Sequence, residues 1–545
     1  MVTNTGGNQP WEEKVKIPRK IRDDSVARVD PPLQGLPDKL PQNSQGLSQA
    51  VLTPRELELT GKSAVELLAK LQSRELSSEE VTRAFLRRAA LAHHATNCLT
   101  ELLWDEAIER ARYLDSLPEP VGPLHGLPIS TKEHHGSKSK NGVANASYVA
   151  WIGKPQGSIL LYDILYDAGC VFFARTTQPQ TIMHLETESN IYGRTVNPYN
   201  RSLTPGGSSG GESALIGFRG SVLGVGGDIG GSIRCPAAHT GIYGFKPTTK
   251  RLPSSGQRTH MIGKETIHST LGPMATDRDS LELFMKIALA AKPWRLDPGL
   301  TAKVWTPYHF TKPLKIAVQW WDGVVKPHPP MLRALKEVSE ACKAAGMEVV
   351  EWDCTKLDHK KGWEITAGLY WPDGGAEALG RIEEAGEPIL PLTKFIIHEQ
   401  PAAKNYNMHE LWELVAERDA YRERYARAWT ETGKDDGREV DVILCPPSFG
   451  AATPHEQSRY WGYTSTWNLL DYPGVVFPVT TVDQEKDKKD ADYVPKNAED
   501  KFVHEMYSPE KYLDAPVNLQ IIGRRSYDEK VLAALVEIEK ALGRN

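Results

Sequence analysis

The chain is short of every feature that would place it in a membrane, on nucleic acid or in a disulfide-stapled scaffold. Its six cysteines, Cys98, Cys170, Cys235, Cys342, Cys354 and Cys445, are scattered over 545 residues with no C-x-x-C pair. At that length they read as reduced thiols of a cytoplasmic protein, not as a disulfide frame or a zinc site. No run approaches the roughly 18 consecutive apolar residues of a membrane span. Neither sign of charge dominates: 65 Lys and Arg against 70 Asp and Glu leave a net charge of −5, which argues against a general nucleic-acid binder. The opening MVTNTGGNQPWEEKVK lacks the basic-then-apolar order of a secretion signal. There is no internal repeat, and no G-x-x-x-x-G-K-[ST] string to cradle a nucleotide phosphate.

Glycine is plentiful, at 45 residues, and its distribution is uneven. Residues 204–248 hold two serine-bearing clusters, Gly206-Gly207-Ser208-Ser209-Gly210-Gly211 and Gly230-Gly231-Ser232, separated by apolar runs at 214–218 and 222–225. Glycine on this scale is costly in backbone entropy and serves close approach or positive φ angles. Hydroxyls held on such turns suggest a site built from backbone N–H groups and serine oxygens.

Around this stretch the pattern alternates. Residues 1–50 are polar and proline-rich and read as an extended arm. Ser63 with Glu66, and Ser77 with Glu80, are capping-box signatures before apolar helical faces. A turn at 122–128 enters a short strand ending near Lys132, a helix is expected over 158–168, and Cys170-Val171-Phe172-Phe173-Ala174 reads as a buried strand. Further strands are expected at 314–318, 347–352, 440–444 and 475–479, with a helix over 331–345. Helix formers and aromatics fill 360–430, as a cap that lines a pocket or simply packs on the core. The charge-dense 483–501 reads as a solvated loop, and Ser526 with Glu529 as the cap of a final helix. The alternation predicts an α/β fold with a mixed sheet covered by helices on both faces. Residues 51–545 are expected to form a single domain.

Three chemistries suit the Gly-Ser stretch. Gly206-Gly207-Ser208-Ser209-Gly210 fits the loose G-x-S-x-G nucleophile elbow, which needs a histidine such as His455 or His504. A phosphate cradle lacks its lysine string. The third joins Ser208, Ser232 and Lys132: serine needs a base, and a lysine desolvated at a strand end can be one. The 228–232 turn would then offer its N–H groups as an oxyanion hole.

The string GGSSGGESALIGFRGSVLGVGGDIGGSIRCPAAHTGIYGFKPT resembles the signature of amidase signature enzymes. GPLHGLPISTKE resembles the family's lysine motif and APVNLQIIG its late motif, so the likeness runs from about residue 52 to 542. Within the family the chain is most similar to fungal general amidases of the acetamidase type. The resemblance implies a serine amidohydrolase with no metal or organic cofactor, acting on a small carboxylic amide. It implies Ser232 as nucleophile, Ser208, in a cis peptide, as proton relay, and Lys132 as base. Ile229, Gly230, Gly231 and Ser232 would supply the oxyanion hole, with Asp228, Arg234 and Ser209 in support. Bulkier aryl, indolyl or acyl amides, or esters, are the alternative substrates. An amidotransferase-like subunit is a further alternative, which activity of the purified chain alone would exclude. Family members are often dimers, which leaves a homodimer open. The chain departs from the family twice: Gly227 stands where threonine is usual, and Glu133-His134-His135-Gly136-Ser137-Lys138-Ser139-Lys140 differs from the usual polar-then-glycine run. His134 and His135 read there as exposed loop residues. Without the resemblance, Ser208 and Ser209 would be helix caps, Ser232 an N-cap and Cys235 a small packing residue.

Overall fold

The computed structural model of the protein describes residues 9–136 and 142–544. The departure over 137–140 therefore lies outside the described residues. Thirteen strands occur among them: β1 Leu99–Leu102, β2 Pro128–Lys132, β3 Val171–Thr176, β4 Glu188–Ser189, β5 Gly193–Arg194, β6 Leu223–Asp228, β7 Tyr243–Lys246, β8 Thr270–Ala275, β9 Lys315–Val318, β10 Glu348–Glu351, β11 Val442–Cys445, β12 Gly474–Thr481 and β13 Pro516–Ile522. Eleven build one sheet in the order β1-β3-β2-β6-β8-β7-β12-β13-β11-β9-β10, and β4 with β5 makes a separate ladder. The pairs β2–β3, β2–β6, β9–β10 and β9–β11 are parallel and the others antiparallel. The sheet is thus mixed, as the alternation predicted, and helices surround it. No helix among the described residues is long and apolar enough to cross a membrane.

Local signals explain several boundaries. Ser63 accepts the Glu66 N–H while the Glu66 carboxylate accepts the Ser63 N–H, which starts the helix Ala64–Gln72. Ser77 caps Ser78–Thr96 through the Glu80 N–H, but the Glu80 carboxylate accepts from Arg55 instead of closing the box. β3 is buried at all six positions, which is why its apolar run is continuous.

Three expectations are corrected. The N-terminal arm is not extended throughout, since Lys16–Ala27 is a helix. It lies along the sheet's edge strand, where Ser25 Oγ accepts the Leu102 N–H at 3.0 Å, and so satisfies an edge donor. The charge-dense segment is not wholly solvated: Asp487 is buried and accepts from Arg333 Nε at 2.7 Å, and Ala498–Met506 is a helix. The last helix, Asp528–Ala541, has Tyr527 at its N-cap and no side-chain cap. Ser526 there donates its N–H to Thr248 Oγ1, and Glu529 accepts from Arg251.

Candidate active site

β2 is buried along its whole length between β3 and β6, so its last side chain, Lys132, enters the protein interior. Lys132 is 1% exposed and its Nζ donates to Ser208 Oγ at 2.6 Å. Burial lowers its pKa to about 7, against the opposing pull of Asp228 and Glu212. Near neutrality a large share of the amine is therefore unprotonated and able to accept a proton.

Ser208 is held by a turn that only glycine permits. Gly206 has φ +84°, the Gly207–Ser208 peptide is cis, and a side chain on Gly207 would overlap the backbone of Glu186. Neither serine of this cluster caps the following helix, Gly210–Gly217: Ser209 stands at its N-cap without a side-chain bond. The Ser209 N–H instead donates to Ser232 O at 3.2 Å, and its Oγ accepts the Gly227 N–H at 3.4 Å. Ser209 thereby ties the two serine clusters together.

The second turn is organised by Asp228 at the end of β6. Its carboxylate accepts from Arg234 Nε at 3.0 Å, Asn468 Nδ2 at 2.8 Å and the Gly231 N–H at 2.9 Å. Burial raises this carboxyl, but Arg234 foremost outweighs it and brings the pKa to about 2. Arg234 is itself fully buried and donates onward to Thr464 O and Asn468 Oδ1. Gly231 therefore gives its N–H to Asp228 and not, as the resemblance implies, to an oxyanion shared with Ile229, Gly230 and Ser232. The turn's carbonyls are braced too, since Tyr370 O–H donates to Ile229 O at 2.6 Å and Thr464 O–H to Gly230 O at 2.7 Å. Ser232 is 4% exposed and does not cap the short helix Arg234–His239, whose N-cap is Ile233.

Lys132, Ser208 and Ser232 line one cavity of ≈ 340 Å³, together with Gly227, Asp228 and Ile229. The Ile182, Met183 and Ile267 side chains make part of its wall apolar. His260 on another wall stacks on Trp371 at 5.3 Å. Lys264, also on the cavity, donates to Tyr370 O at 3.1 Å, and burial lowers it to about 8 against the pull of Asp373. Residues 360–430 thus act on the site through Tyr370 and Trp371 from behind. A larger groove of ≈ 650 Å³, around Arg418, Arg422 and Arg525, holds no serine or cysteine.

His134 and His135 are buried, not exposed loop residues, because a 3-10 turn follows β2 directly. His134 Nδ1 lies 2.7 Å from Gln178 Oε1, whose amide nitrogen donates to Glu133 Oε2 at 2.7 Å. Gln178 oxygen can only accept, so the His134 proton sits on Nδ1. Burial holds both imidazoles neutral. A side chain on Gly227 would come within 3.3 Å of His135 Nε2, so a threonine at 227 would meet the second departure. His455 lies against Glu186 at 3.0 Å and His504 beside Tyr493; neither lines the cavity. Cys235 is buried, and burial drives its pKa to about 12, which leaves it a packing residue. Tyr370 was marked only as one of the aromatics of 360–430, and Thr464, Asn468 and Glu212 not at all, since nothing local marks contacts that span 36 to 240 positions.

Residues 80–532 match the family described as Amidase. An acetamidase of Emericella nidulans is 40% identical over 553 residues, covering 98% of this chain and 99% of its own. An acetamidase of Aspergillus oryzae is 39% identical over 525 residues, or 94% of each chain. The solved structure of a fatty acid amide hydrolase is similar with a TM-score of 0.92 and 37% identity, covering 98% of this chain and 95% of its own.

Proposed function

Because the chain belongs to the amidase signature family, hydrolases that cleave the carbon–nitrogen bond of amides, we propose that it does so through Ser232, Ser208 and Lys132. Ser232 Oγ attacks the carbonyl carbon of a small carboxylic amide. Its proton passes to Ser208 Oγ as the Ser208 proton passes to neutral Lys132. The N–H groups of Ile229, Gly230 and Ser232 receive the developing oxyanion, with Asp228 and Arg234 fixing the turn. Collapse breaks the carbon–nitrogen bond, the proton returns through Ser208 to the departing amine, and an acyl-enzyme remains. Water then repeats the sequence and releases the carboxylic acid. The observation that carries this reading is the fully buried lysine, lowered to about 7 and bonded at 2.6 Å to Ser208. No organic cofactor enters any step. The six cysteines are all buried and free, which supports a reducing, cytoplasmic setting. Residues 51–545 form the catalytic unit, with 1–50 as its arm.

The cavity favours a second substrate class. A volume of ≈ 340 Å³ leaves room for more than an acetamide methyl, and its partly apolar wall suits longer acyl or aryl amides. Ammonia release by the purified chain from acetamide, benzamide, indole-3-acetamide and a long-chain amide, with Ser232→Ala alongside, separates these. Release that persists in the variant would overturn the assignment, and the preferred amide sizes the pocket.

A further inference from the structure

A carboxyl group lies beneath these residues that no step above uses. Glu212 is fully buried on the helix Gly210–Gly217. Its room comes from Gly224 of β6, where any side chain would overlap the carboxyl. Oε2 accepts from Thr176 Oγ1 at 2.6 Å, and Oε1 contacts Ser130 Oγ. Ser130 precedes Lys132 by two positions on β2, so the two side chains leave the strand on one face. Thr176 stands opposite Lys132 in the β2–β3 register. The carboxyl is therefore held on both sides by residues that flank the lysine.

The contacts continue from Ser130 Oγ to Ser221 Oγ at 2.8 Å, and Ser221 donates to Leu223 O at 3.1 Å. All of these side chains are fully buried. A carbonyl only accepts, so the Ser221–Leu223 contact takes the Ser221 proton. The Ser130–Ser221 contact then needs the Ser130 proton. That leaves the Glu212–Ser130 contact with no hydroxyl proton of its own. A carboxylate would set lone pair against lone pair there, in a buried place where an unmade hydrogen bond costs most.

We propose that Glu212 is a neutral carboxylic acid up to about neutral pH, where Lys132 begins to lose its proton, donating to Ser130, and that it positions Lys132 as a base by withholding a buried counter-anion. The proposal rests on the reading of Lys132 given above. Burial supports it, raising the carboxyl to about 7 against Ser130, Thr176 and Lys132. Because the lysine also lies at about 7, charge alone would let either an ion pair or a neutral pair form. Ser130 has one proton for two acceptors, Glu212 Oε1 and Ser221 Oγ, and only the neutral pair supplies a proton to all three contacts of the chain. The other titratable groups facing Glu212 add no charge: Cys98 is raised to about 12 and Tyr162 well above its ordinary value, both by burial. Asp228, the carboxylate that acts more strongly on Lys132, is tied to Arg234.

Infrared difference spectroscopy of wild type against Glu212→Gln at pH 7 tests the protonation state without reference to activity. The protonated-carboxyl band should vanish in the variant; loss of carboxylate bands instead would overturn the proposal. A glutamine keeps an N–H where the acid has its O–H, so the pH midpoint of kcat/KM should stay in place in Glu212→Gln. It should also retain about tenfold more activity than Glu212→Ala. A midpoint that falls by about one unit would mean that an anion had been removed. Ser221→Ala gives a second arm that leaves Glu212 intact. It frees the Ser130 proton to turn to the carboxyl, so the acid band should fade and the midpoint rise by about half a unit or more. An unchanged band in Ser221→Ala would overturn the proposal. Full activity in Lys132→Met would sink the reading of the base and leave the infrared result standing.

Discussion

Replacing Lys132 by methionine should abolish catalysis and yet strengthen the fold near neutral pH. The lysine is 1% exposed and its pKa falls from 10.5 to about 7. At about 1.4 kcal/mol per pH unit, folding against that fall costs roughly 4 kcal/mol at pH 7. Methionine fills a similar volume without a charge. It leaves Ser208 without its 2.6 Å partner, which returns about 1–3 kcal/mol. The net expectation is a variant about 1–3 kcal/mol more stable at pH 7, measured by urea denaturation. The sign follows from linkage, since the folded protein binds fewer protons than the unfolded chain between about 7 and 10.5. The lysine's cost is therefore full below about 7, shrinks as pH rises, and is gone above 10.5. The advantage of Lys132→Met should fade across that window and reverse near its top, where only the loss at Ser208 remains. A variant less stable than wild type at pH 7, or a difference that does not change with pH, would refute the buried neutral amine.

Other expectations follow from the same geometry. The kcat/KM of wild type should rise with pH to a plateau with a midpoint near 7, as Lys132 loses its proton; a flat profile would argue against it as base. Asp228→Asn strands the fully buried Arg234, so stability should fall by about 3–5 kcal/mol, read from the denaturation midpoint. Tyr370→Phe removes the 2.6 Å bond to Ile229 O and loosens the turn at a cost of about 1 kcal/mol. That should appear as a roughly fivefold loss in kcat with little change in KM. Equal activity in Tyr370→Phe would show that the turn holds its shape without this brace.

Much of this architecture is legible in the sequence because its causes are local. The Ser63 cap, the continuous apolar run of β3 and the strand ending at Lys132 are all settled by residues within a turn or two of one another. The density of glycine around Ser208 and Ser232 marks places where backbone must approach backbone, and the structure shows that approach at Gly207. What the residues alone could not supply was the choice among a histidine-based elbow, a phosphate cradle and a lysine-based relay, since each needs a partner far away in the chain. The resemblance decided for Lys132 among them, and its contact with Ser208 spans 76 positions. Thr464 and Asn468 stayed hidden for the same reason, as did the bond that Tyr370 makes: a tyrosine amid other aromatics carries no sign of the carbonyl it meets. Burial misled twice, in the same direction. His134 and His135 looked solvated because they are polar and follow a strand, yet the turn carries them inward, where Gln178 and Tyr162 take their Nδ1 atoms. Asp487 looked solvated amid lysines but is the buried anchor of Arg333.

The most direct measurement is acid quenching of the purified enzyme during turnover of its preferred amide, followed by mass mapping of tryptic peptides. Cleavage at Arg219 and Arg234 releases residues 220–234, which contain Ser232. This peptide should gain the mass of the acyl group, fragmentation should place it on Ser232, and Ser232→Ala should show neither adduct nor ammonia. An adduct on another residue, or undiminished ammonia release by Ser232→Ala, would contradict it.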